Sequence, residues 1–360
     1  MKVIIAGGGT GGHLFPAVAL GEELRRQRPG TEVLFVGTSA GLEARWLPMR
    51  EYKYELFEVH GLRGHGFVER IRGLAEFFSA VAQSLGLLRS FGADLVVSAG
   101  GYASAPMGVA AILRRVPLVL MEQNATAGLT NRMLWRFADK ICVAFEAAAS
   151  SFSPAKVEVT GNPLRFIPSS SYQQPVDNLA RILVLGGSSG AHRLNLGILG
   201  AFTTFNKDVI KLQIVHQTGE ADVELASGAY QRAALDAQVV PFIDNMAYAL
   251  DQADLIVARA GGNTVSEIAA AAKPAIFVPY PFHRDRQQEL NAGVIEQLGG
   301  AVIVRDDEHL ADNLRATIER LTADRARLAE MGRRAHRAAR PDAAARIATI
   351  CFQIAEKVQA

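Results

Sequence analysis

A glycine-rich stretch near the start of the chain, Ala6 to Pro16, most limits what this chain can fold into. It reads AGGGTGGHLFP, follows the apolar run MKVII and precedes AVALGEELRRQ, whose apolar residues have helical spacing. The pattern predicts a strand, a tight turn and a helix, because glycine lets the backbone bend sharply and lie bare against a ligand. The unpaired N–H groups of the helix's first turn favour an anionic or polar ligand, and Pro16 suits that first turn.

The spacing Gly7-x-Gly9-x-x-Gly12 satisfies the dinucleotide fingerprint, which is weak evidence when it stands alone. The next predicted strand ends in VGT without an acidic residue for a ribose, which disfavours NAD. No Lys-Ser or Lys-Thr follows the glycines, which disfavours a P-loop. His13 at the mouth of the turn is an unusual residue for a pyrophosphate site. The alternative is that the stretch binds no ligand: the glycines only form a tight turn, and His13 caps the helix.

Composition limits the class of protein. The chain has 360 residues, which predicts two domains, and its formal net charge of +2 is no nucleic-acid signature. Cys142 and Cys351 are its two cysteines and lie in apolar segments, which predicts buried thiols and excludes a disulfide framework or a cysteine zinc site. We expect no signal peptide and no bilayer-spanning run, and therefore a cytoplasmic protein that can still touch a membrane surface.

Strand and helix patterns alternate along the chain. Short apolar runs rich in Val, Ile and Leu, separated by segments with helical spacing, predict parallel sheets covered on both faces. The alternation restarts near residue 180 with RILVLGGSSGAHRLNLGILGAF, a second strand, glycine turn and helix. Two such openings predict two doubly wound domains joined within Val159 to Asn178, with ligands bound in a cleft beyond the carboxyl ends of the strands. The tail, Ala323 to Ala360, is predicted to form two helices interrupted at Pro341.

A long apolar helix is predicted from Phe67 to Leu88. Its apolar residues recur every three or four positions, and four arginines lie around them: Arg63, Arg70, Arg72 and Arg89. The simpler interpretation is a helix packed on its sheet. The alternative is that its first turns enter anionic lipid, with the arginines on headgroups.

The segment AGGNTVSE, Ala260 to Glu267, follows the apolar run DLIVAR and begins another predicted helix. Thr264 and Glu267 have the spacing of a capping box, which is the purely structural interpretation. The functional alternative is that Gly261 and Gly262 let a phosphate or nucleoside approach the helix start, while Glu267 accepts hydrogen bonds from a ribose diol. We favour the functional interpretation because the glycine pair precedes the cap at a strand's carboxyl end.

Polar residues also follow other predicted strands. Gln287 or Gln288, in PYPFHRDRQQELNA, would hydrogen-bond sugar hydroxyls, because an amide both donates and accepts. Two groups in the first half follow strands in the same way and are expected to face the cleft: Gly100-Gly101-Tyr102 and Glu122-Gln123-Asn124.

Eight motifs, in order from Ala6 to about Ala292, together carry a specific resemblance. They are GGGTGGHLFPA, SAGGYASAP, MEQNATAGLTNR, GNPLR, GGSSGA, FIDNM, RAGGNTVSEIAAAAKPAIFVP and HRDRQQELNA. This set resembles that of the bacterial N-acetylglucosaminyltransferases of peptidoglycan synthesis. Two positions depart from the family pattern: Ser189 stands where GGSQGA has glutamine, and Asn263 stands where an apolar residue is frequent.

The resemblance implies an α/β protein of GT-B fold, with two doubly wound Rossmann-like domains whose parallel sheets face a deep cleft. It implies an acceptor- and membrane-side domain at 1–163, joined by the last helix at about 342–360, and a UDP-sugar-binding domain at 164–341. The implied reaction is inverting transfer of N-acetylglucosamine from UDP-N-acetylglucosamine to the muramoyl 4-hydroxyl of lipid I, giving lipid II. We expect a peripheral protein on the cytoplasmic face of the inner membrane, with anionic lipids and other cell-wall synthesis proteins as partners and no nucleic acid.

The family's donor-binding motifs fall on fourteen residues of this chain: Thr10, Gly11, Gly12, Asn124, Arg165, Ser188, Ile243, Gly262, Asn263, Thr264, Val265, Ser266, Glu267 and Gln288. The resemblance implies that Ile243 meets the uracil, Glu267 the ribose and Gln288 the sugar. It implies that the acceptor pyrophosphate binds at the first glycine loop. We expect three further residues on the acceptor side: Gly100, Gly101 and Tyr102.

Inverting transfer needs a base for the acceptor hydroxyl and a stabilised leaving diphosphate. His13 is the candidate base because its ordinary pKa lies near neutrality, and Glu122 is the reserve. Helix starts at Ser188 and Thr264 and the charge of Arg165 would stabilise the leaving UDP, so no metal or other cofactor is expected. The alternatives are a UDP-N-acetylglucosamine epimerase of the same architecture, a non-catalytic nucleotide-sugar sensor and, more distantly, a dehydrogenase.

Overall fold

The structure is a computed structural model that describes residues 1–58, 67–166, 179–187, 190–203, 205, 211–283 and 285–359. The side chains of residues 67–71 and 359 lie outside the description, as do Ser188 and Ser189. The chain divides into two compact units. Unit 1 is Met1–Arg165 with Pro341–Ala360, and unit 2 is Phe166–Arg340.

Within the described residues, each unit contains one sheet in which all paired strands are parallel. The strands of unit 1 are β1 Lys2–Ala6, β2 Glu32–Thr38, β3 Lys53–Phe57, β4 Leu95–Ser98, β5 Leu118–Glu122, β6 Lys140–Val143 and β7 Val157–Val159. Those of unit 2 are β8 Leu179–Leu185, β9 Lys211–Gln217, β10 Asp236–Val240, β11 Leu255–Ala258, β12 Ala275–Phe277 and β13 Ala301–Ile303. The predicted parallel sheets are confirmed.

Strand order places one glycine loop at a special position in each sheet. The order is β3-β2-β1-β4-β5-β6-β7 in unit 1 and β10-β9-β8-β11-β12-β13 in unit 2. The chain winds outward in one direction from β1 and β8 and then in the other direction from β4 and β11. Open parallel sheets bind ligands at this switch point, beyond the carboxyl ends of the strands. The loops after β1 and β8 are the two glycine-rich loops of the sequence.

Helices connect the strands. They are α1 Gly11–Gln27, α2 Glu43–Trp46, α3 Phe67–Phe91, α4 Ser104–Arg114, α5 Leu129–Leu134, α6 Glu146–Ala149, α7 His192–Thr203, α8 Val223–Arg232, α9 Met246–Gln252, α10 Gly262–Ala270, α11 Gln287–Glu296, α12 Leu310–Thr322, α13 Arg325–His336 and α14 Ala343–Gln359. A short 3-10 turn, Glu220–Asp222, precedes α8. The last helix, α14, packs on α1 and so returns the chain to unit 1.

The sheets form the centre of each core. Residues Val3, Ile4 and Ile5 of β1 have no exposed surface, as expected for a strand covered on both faces. The Cys142 and Cys351 thiols are buried and free, which confirms that expectation.

Two local expectations are wrong, and one short strand was not predicted. Helix α1 begins at Gly11, so Pro16 lies in the helix interior and not in its first turn. Strand β10 ends at Val240, although the apolar run VVPFI at 239–243 predicts a strand that continues through Pro241. Strand β7 was not expected, because it is only three residues long and half-buried.

Candidate functional site

The first glycine loop joins β1 to α1 at the switch point of unit 1. Gly9 has φ +94°, a left-handed conformation that favours glycine. Thr10 is the N-cap of α1, with φ −135° and ψ 165°, and Gly11 and Gly12 are the first two helical residues. Backbone N–H groups at the start of α1 therefore stand at the carboxyl edge of the sheet, where a polar or anionic ligand is stabilised.

His13 is the third residue of α1 and lies inside the helix, which does not fit its alternative role as the cap. Its ring packs against the loop after β4. A Cβ added to Gly100 would lie 2.7 Å from His13 Cδ2 and 2.9 Å from Nε2. Nδ1 is buried and has no hydrogen-bond partner among the described residues. Gly100 is therefore the residue that leaves room for the imidazole.

The surroundings of His13 hold its pKa below the ordinary value of 6.5. Burial is the largest cause, because it disfavours the charged imidazolium. The backbone of Gly8 and the charge of Glu43 act in the opposite direction and raise the pKa. The imidazole is neutral near pH 7, which is the form that can accept a proton.

The loop after β4 is built around two glycines in left-handed conformations. Gly100 has φ +86° and Gly101 φ +85°. A Cβ on Gly101 would lie 2.2 Å from a carbonyl oxygen of the first glycine loop. Ser104 Oγ lies 2.6 Å from the Ala6 carbonyl and 2.8 Å from the Gly100 carbonyl, so it ties β1 to this loop. Tyr102 is 50% exposed at the tip of the loop.

Glu122, at the end of β5, is buried and organises the loop that follows it. Its Oε2 accepts from the Gly128 N–H at 2.8 Å and from Asn131 Nδ2 at 2.9 Å. Its Oε1 accepts from the N–H of Asn124 at 3.1 Å and from Asn124 Nδ2 at 3.3 Å. Burial raises the pKa of Glu122, and these hydrogen bonds oppose that rise. Both carboxylate oxygens are engaged in shaping the segment that presents Asn124.

Glu43 is a buried carboxylate that sequence reasoning missed. It has no exposed surface and accepts from the Gly9 N–H with both oxygens, at 2.9 and 2.8 Å. The same Oε1 accepts from the N–H and Oγ1 of Thr38, at 2.7 and 2.8 Å. Glycines surround it, since a Cβ on Gly8 or Gly41 would lie 2.1 or 2.3 Å from a Glu43 oxygen. Glu43 thus joins the first glycine loop to the end of β2.

Arg165, the last residue of unit 1 before the chain enters unit 2, contacts α1. Its guanidinium carbon lies 4.6 Å from the ring centroid of Phe15. This cation–π contact places a positive charge beside the helix that carries His13.

The second glycine loop joins β8 to α7 at the switch point of unit 2. Gly187 has φ +89° and Gly190 φ +80°, and a Cβ on Gly190 would lie 2.3 Å from the Thr218 carbonyl oxygen. Ser188, the predicted diphosphate contact, lies outside the described residues. Ile243, the predicted uracil contact, is 8% exposed in the segment after β10.

Helix α10 begins directly after β11 and carries the predicted ribose and phosphate contacts. Its N-cap is Gly261, so Thr264 is the third helical residue and the capping box is wrong. Val265 is fully buried, Ser266 Oγ donates to the Gly262 carbonyl at 2.9 Å, and Glu267 is 8% exposed. Asn263, which stands where the family frequently has an apolar residue, is half-buried in the first turn of the helix. Gly262, Asn263 and Thr264 therefore form the helix start itself.

The loop after β12 is held by a buried ion pair. Arg259 Nη2 lies 2.8 Å from Asp306 Oδ2, and Arg259 Nη1 donates to the carbonyls of Val278 at 3.0 Å and Pro279 at 3.3 Å. Gln288, in the first turn of α11, accepts from the Tyr280 N–H at 2.9 Å through Oε1. The predicted sugar contact of Gln288 would therefore use its amide nitrogen.

The part of the chain that the structure describes contains neither a metal-binding cluster nor a membrane-spanning helix. No group of three or more His, Cys, Asp or Glu there is placed to hold a metal ion. No helix within the same residues is both long and apolar enough to cross a membrane.

Comparison with known proteins identifies the family. The model of the glycosyltransferase family 28 N-terminal domain matches residues 3–143, and that of the family 28 C-terminal domain matches residues 181–347. The UDP-N-acetylglucosamine–N-acetylmuramyl-(pentapeptide) pyrophosphoryl-undecaprenol N-acetylglucosamine transferase of Geobacter metallireducens is 44% identical over 350 residues, 96% of each chain. The chain belongs to glycosyltransferase family 28. It is a glycosyltransferase, as the motifs predicted.

Solved structures agree with family 28 membership. Acinetobacter baumannii MurG matches with a TM-score of 0.78 and 32% identity, over 98% of this chain and 99% of that chain. The predicted GT-B fold is confirmed by this likeness together with the two family 28 domains. A UDP-GlcNAc 2-epimerase from Neisseria meningitidis, bound to UDP-GlcNAc, has a TM-score of 0.67 but 14% identity over 98% of this chain and 100% of that chain. That second likeness shows the fold alone.

Proposed function

We propose that this family 28 glycosyltransferase transfers N-acetylglucosamine from UDP-N-acetylglucosamine to lipid I and so forms lipid II for peptidoglycan synthesis. The observation that carries the proposal is 44% identity, across 96% of both chains, to a transferase named for this reaction. The glycine loops at both switch points support it, because a transferase must hold two polar substrates.

The donor is assigned chiefly to unit 2. We assign the diphosphate to the loop of Ser188, the uracil to Ile243, the ribose to Glu267 and the sugar to Gln288. The start of α10 adds the positive end of a helix dipole, which stabilises the charge that develops on leaving UDP. The remaining donor contacts in this assignment belong to unit 1: Thr10, Gly11, Gly12, Asn124 and Arg165.

The acceptor is assigned to unit 1, with Gly100, Gly101 and Tyr102 beside its pyrophosphate and His13 as the general base. His13 accepts the proton of the muramoyl 4-hydroxyl as that oxygen attacks the anomeric carbon from the face opposite the leaving UDP. The lowered pKa of His13 keeps it neutral and ready for this step. Glu122 stays in reserve, because both of its oxygens already accept hydrogen bonds.

Replacing Glu267 with alanine is expected to weaken UDP binding by roughly 10- to 100-fold, since even one hydrogen bond to a carboxylate contributes about 1.5–3 kcal/mol. Isothermal titration calorimetry with UDP measures this. Glu296→Ala, an exposed carboxylate on α11, is the matched control and should bind UDP like the wild type. Unchanged binding in Glu267→Ala would leave the carboxylate with a structural role in α10.

Unit 1 carries the surface that we assign to the membrane. On α3, Val81 and Leu88 are buried, whereas Leu74 is 51% and Phe78 66% exposed. Leu113 is 63% exposed at the end of α4, which packs on α3. Exposed arginines accompany them: Arg72, Arg89, Arg114 and Arg115. Apolar side chains beside basic ones suit peripheral binding to the anionic cytoplasmic face of the inner membrane.

Replacing Phe78 with serine is expected to lower binding to vesicles of anionic phospholipid about tenfold, because one aromatic side chain no longer enters the lipid. Cosedimentation measures the bound fraction. The matched control is Leu225→Ser, an apolar residue of unit 2 that is 43% exposed. If both variants bound the vesicles equally well, α3 would not be part of the surface that contacts the membrane.

The proposed reaction is tested by incubating the protein with UDP-N-acetylglucosamine, with and without a lipid I analogue. UDP release that depends on the acceptor, together with a disaccharide lipid product, is the expected result. Epimerised sugar, or UDP release without the acceptor, would favour an epimerase. Binding without reaction on a competent acceptor would favour a sensor.

A further inference from the structure

Gln217 ends β9, the strand that lies between β8 and β10 in the sheet of unit 2. The register pairs Gln217 with Leu185 of β8 on one side and with Val240 of β10 on the other. The glycine loop of Ser188 follows β8, and the segment of Ile243 follows β10. Gln217 therefore stands between the two segments to which we assign the diphosphate and the uracil.

The side-chain amide of Gln217 bonds to both segments at once. Nε2 donates to the Gly187 carbonyl at 2.8 Å, and Oε1 accepts from the Ile243 N–H at 3.0 Å. The side chain is buried, since Gln217 is 3% exposed. An uncharged amide offers a donor group and an acceptor group at a fixed separation, which this pair of partners requires.

The main chain around Gln217 extends the same connection. The Gly186 N–H donates to the Gln217 carbonyl at 3.3 Å, and the Thr218 N–H donates to the Val240 carbonyl at 3.0 Å. The Gly190 Cα approaches the Thr218 carbonyl so closely that a Cβ would be 2.3 Å away. The end of β9 thus lies between the two segments and contacts both of them.

We infer that Gln217 is a positioning residue that sets the distance between the nucleobase segment and the diphosphate loop. The inference rests on the proposed function, because that function assigns uridine diphosphate to these two segments. A ligand that spans both segments needs the spacing, whereas a ligand that contacts one segment does not. Gln217 itself need not touch the donor.

The test measures the binding of uridine, inorganic diphosphate and UDP to the wild type and to Gln217→Leu. We expect the variant to bind UDP about tenfold more weakly, the effect of losing two neutral hydrogen bonds, while each fragment changes less than about threefold. In the transfer assay, the KM for UDP-N-acetylglucosamine rises and kcat changes less. Gln217→Glu, which sets an oxygen against the Gly187 carbonyl, should lose UDP affinity in the same way.

The matched control is Gln213→Leu, because Gln213 lies on the same strand but is exposed. It should retain wild-type binding of all three ligands, and thermal unfolding of every variant separates a folding defect from a loss of spacing. Equal fold-losses for UDP and both fragments, or an unchanged UDP affinity in Gln217→Leu, would overturn the inference. If the wild type itself binds no UDP, the proposed function fails and the inference falls with it.

Discussion

Replacing His13 with alanine is expected to lower kcat about 10²- to 10⁴-fold, the usual contribution of a general base, while the dissociation constant for UDP changes less than about twofold. The reason is that His13 faces the loop of Gly100 in unit 1, whereas the donor is assigned chiefly to unit 2. Single-turnover transfer to a lipid I analogue measures the chemical step, and calorimetry measures UDP binding.

The pH dependence of the wild type tests the same assignment. A base must be neutral to accept a proton, so kcat/KM falls on the acid side as the imidazole becomes charged. Because burial lowers the pKa of His13 from 6.5, the midpoint of this fall is expected below pH 6.5.

Two variants separate the base from other effects. His309→Ala, at a histidine whose side chain is 69% exposed, should keep full activity. Glu122→Gln keeps the shape of the reserve base and removes its charge. If His13→Ala kept full turnover and a folded Glu122→Gln lost it, the general base would be Glu122 and not His13.

Replacing Glu43 with alanine is expected to destabilise unit 1 by about 3 kcal/mol or more and to abolish most transfer activity. The substitution removes the acceptor of the half-buried Gly9 N–H and the buried Thr38 N–H and leaves a cavity between the glycines that surround the carboxylate. A urea unfolding curve measures the change in free energy of unfolding. Glu58→Ala, an exposed carboxylate just after β3, should unfold like the wild type.

The isosteric variant Glu43→Gln isolates the charge. Its amide can still accept from most of the same donors, so the expected loss of stability is smaller. Since the charge of Glu43 raises the pKa of His13, its removal should move the acid limb of kcat/KM to lower pH. If the acid limb of kcat/KM has the same midpoint in Glu43→Gln as in the wild type, the charge of Glu43 does not affect the pKa of His13. Glu43 would then act only on the shape of the loop.

Local patterns in the sequence predicted the elements well, because those patterns are properties of neighbouring residues. The apolar run before Ala6 forms β1, and the glycines after it form a loop with a left-handed Gly9. The errors also have local causes. Thr264 and Glu267 match a capping box, but α10 starts earlier because Gly261 already adopts the N-cap conformation.

The residues that support the site were missed for a different reason. Glu43 belongs to a four-residue helix, EARW, and carries no periodic or motif signal. Its importance arises from Gly9, 34 positions away, because Glu43 accepts a hydrogen bond from the Gly9 N–H. Gln217 is likewise defined by Gly187 and Ile243, 30 and 26 positions away. No spacing rule connects such residues before the strands are paired.

The sequence by itself determined the alternating elements, the two glycine loops, the family and the candidate base His13. Tertiary structure alone decided that β4 lies beside β1, which brings Gly100 against the His13 ring, and that β9 lies between β8 and β10. The physical reason is that helix and strand periodicity depends on residues a few positions apart, whereas strand order depends on hydrogen bonding and packing between distant segments.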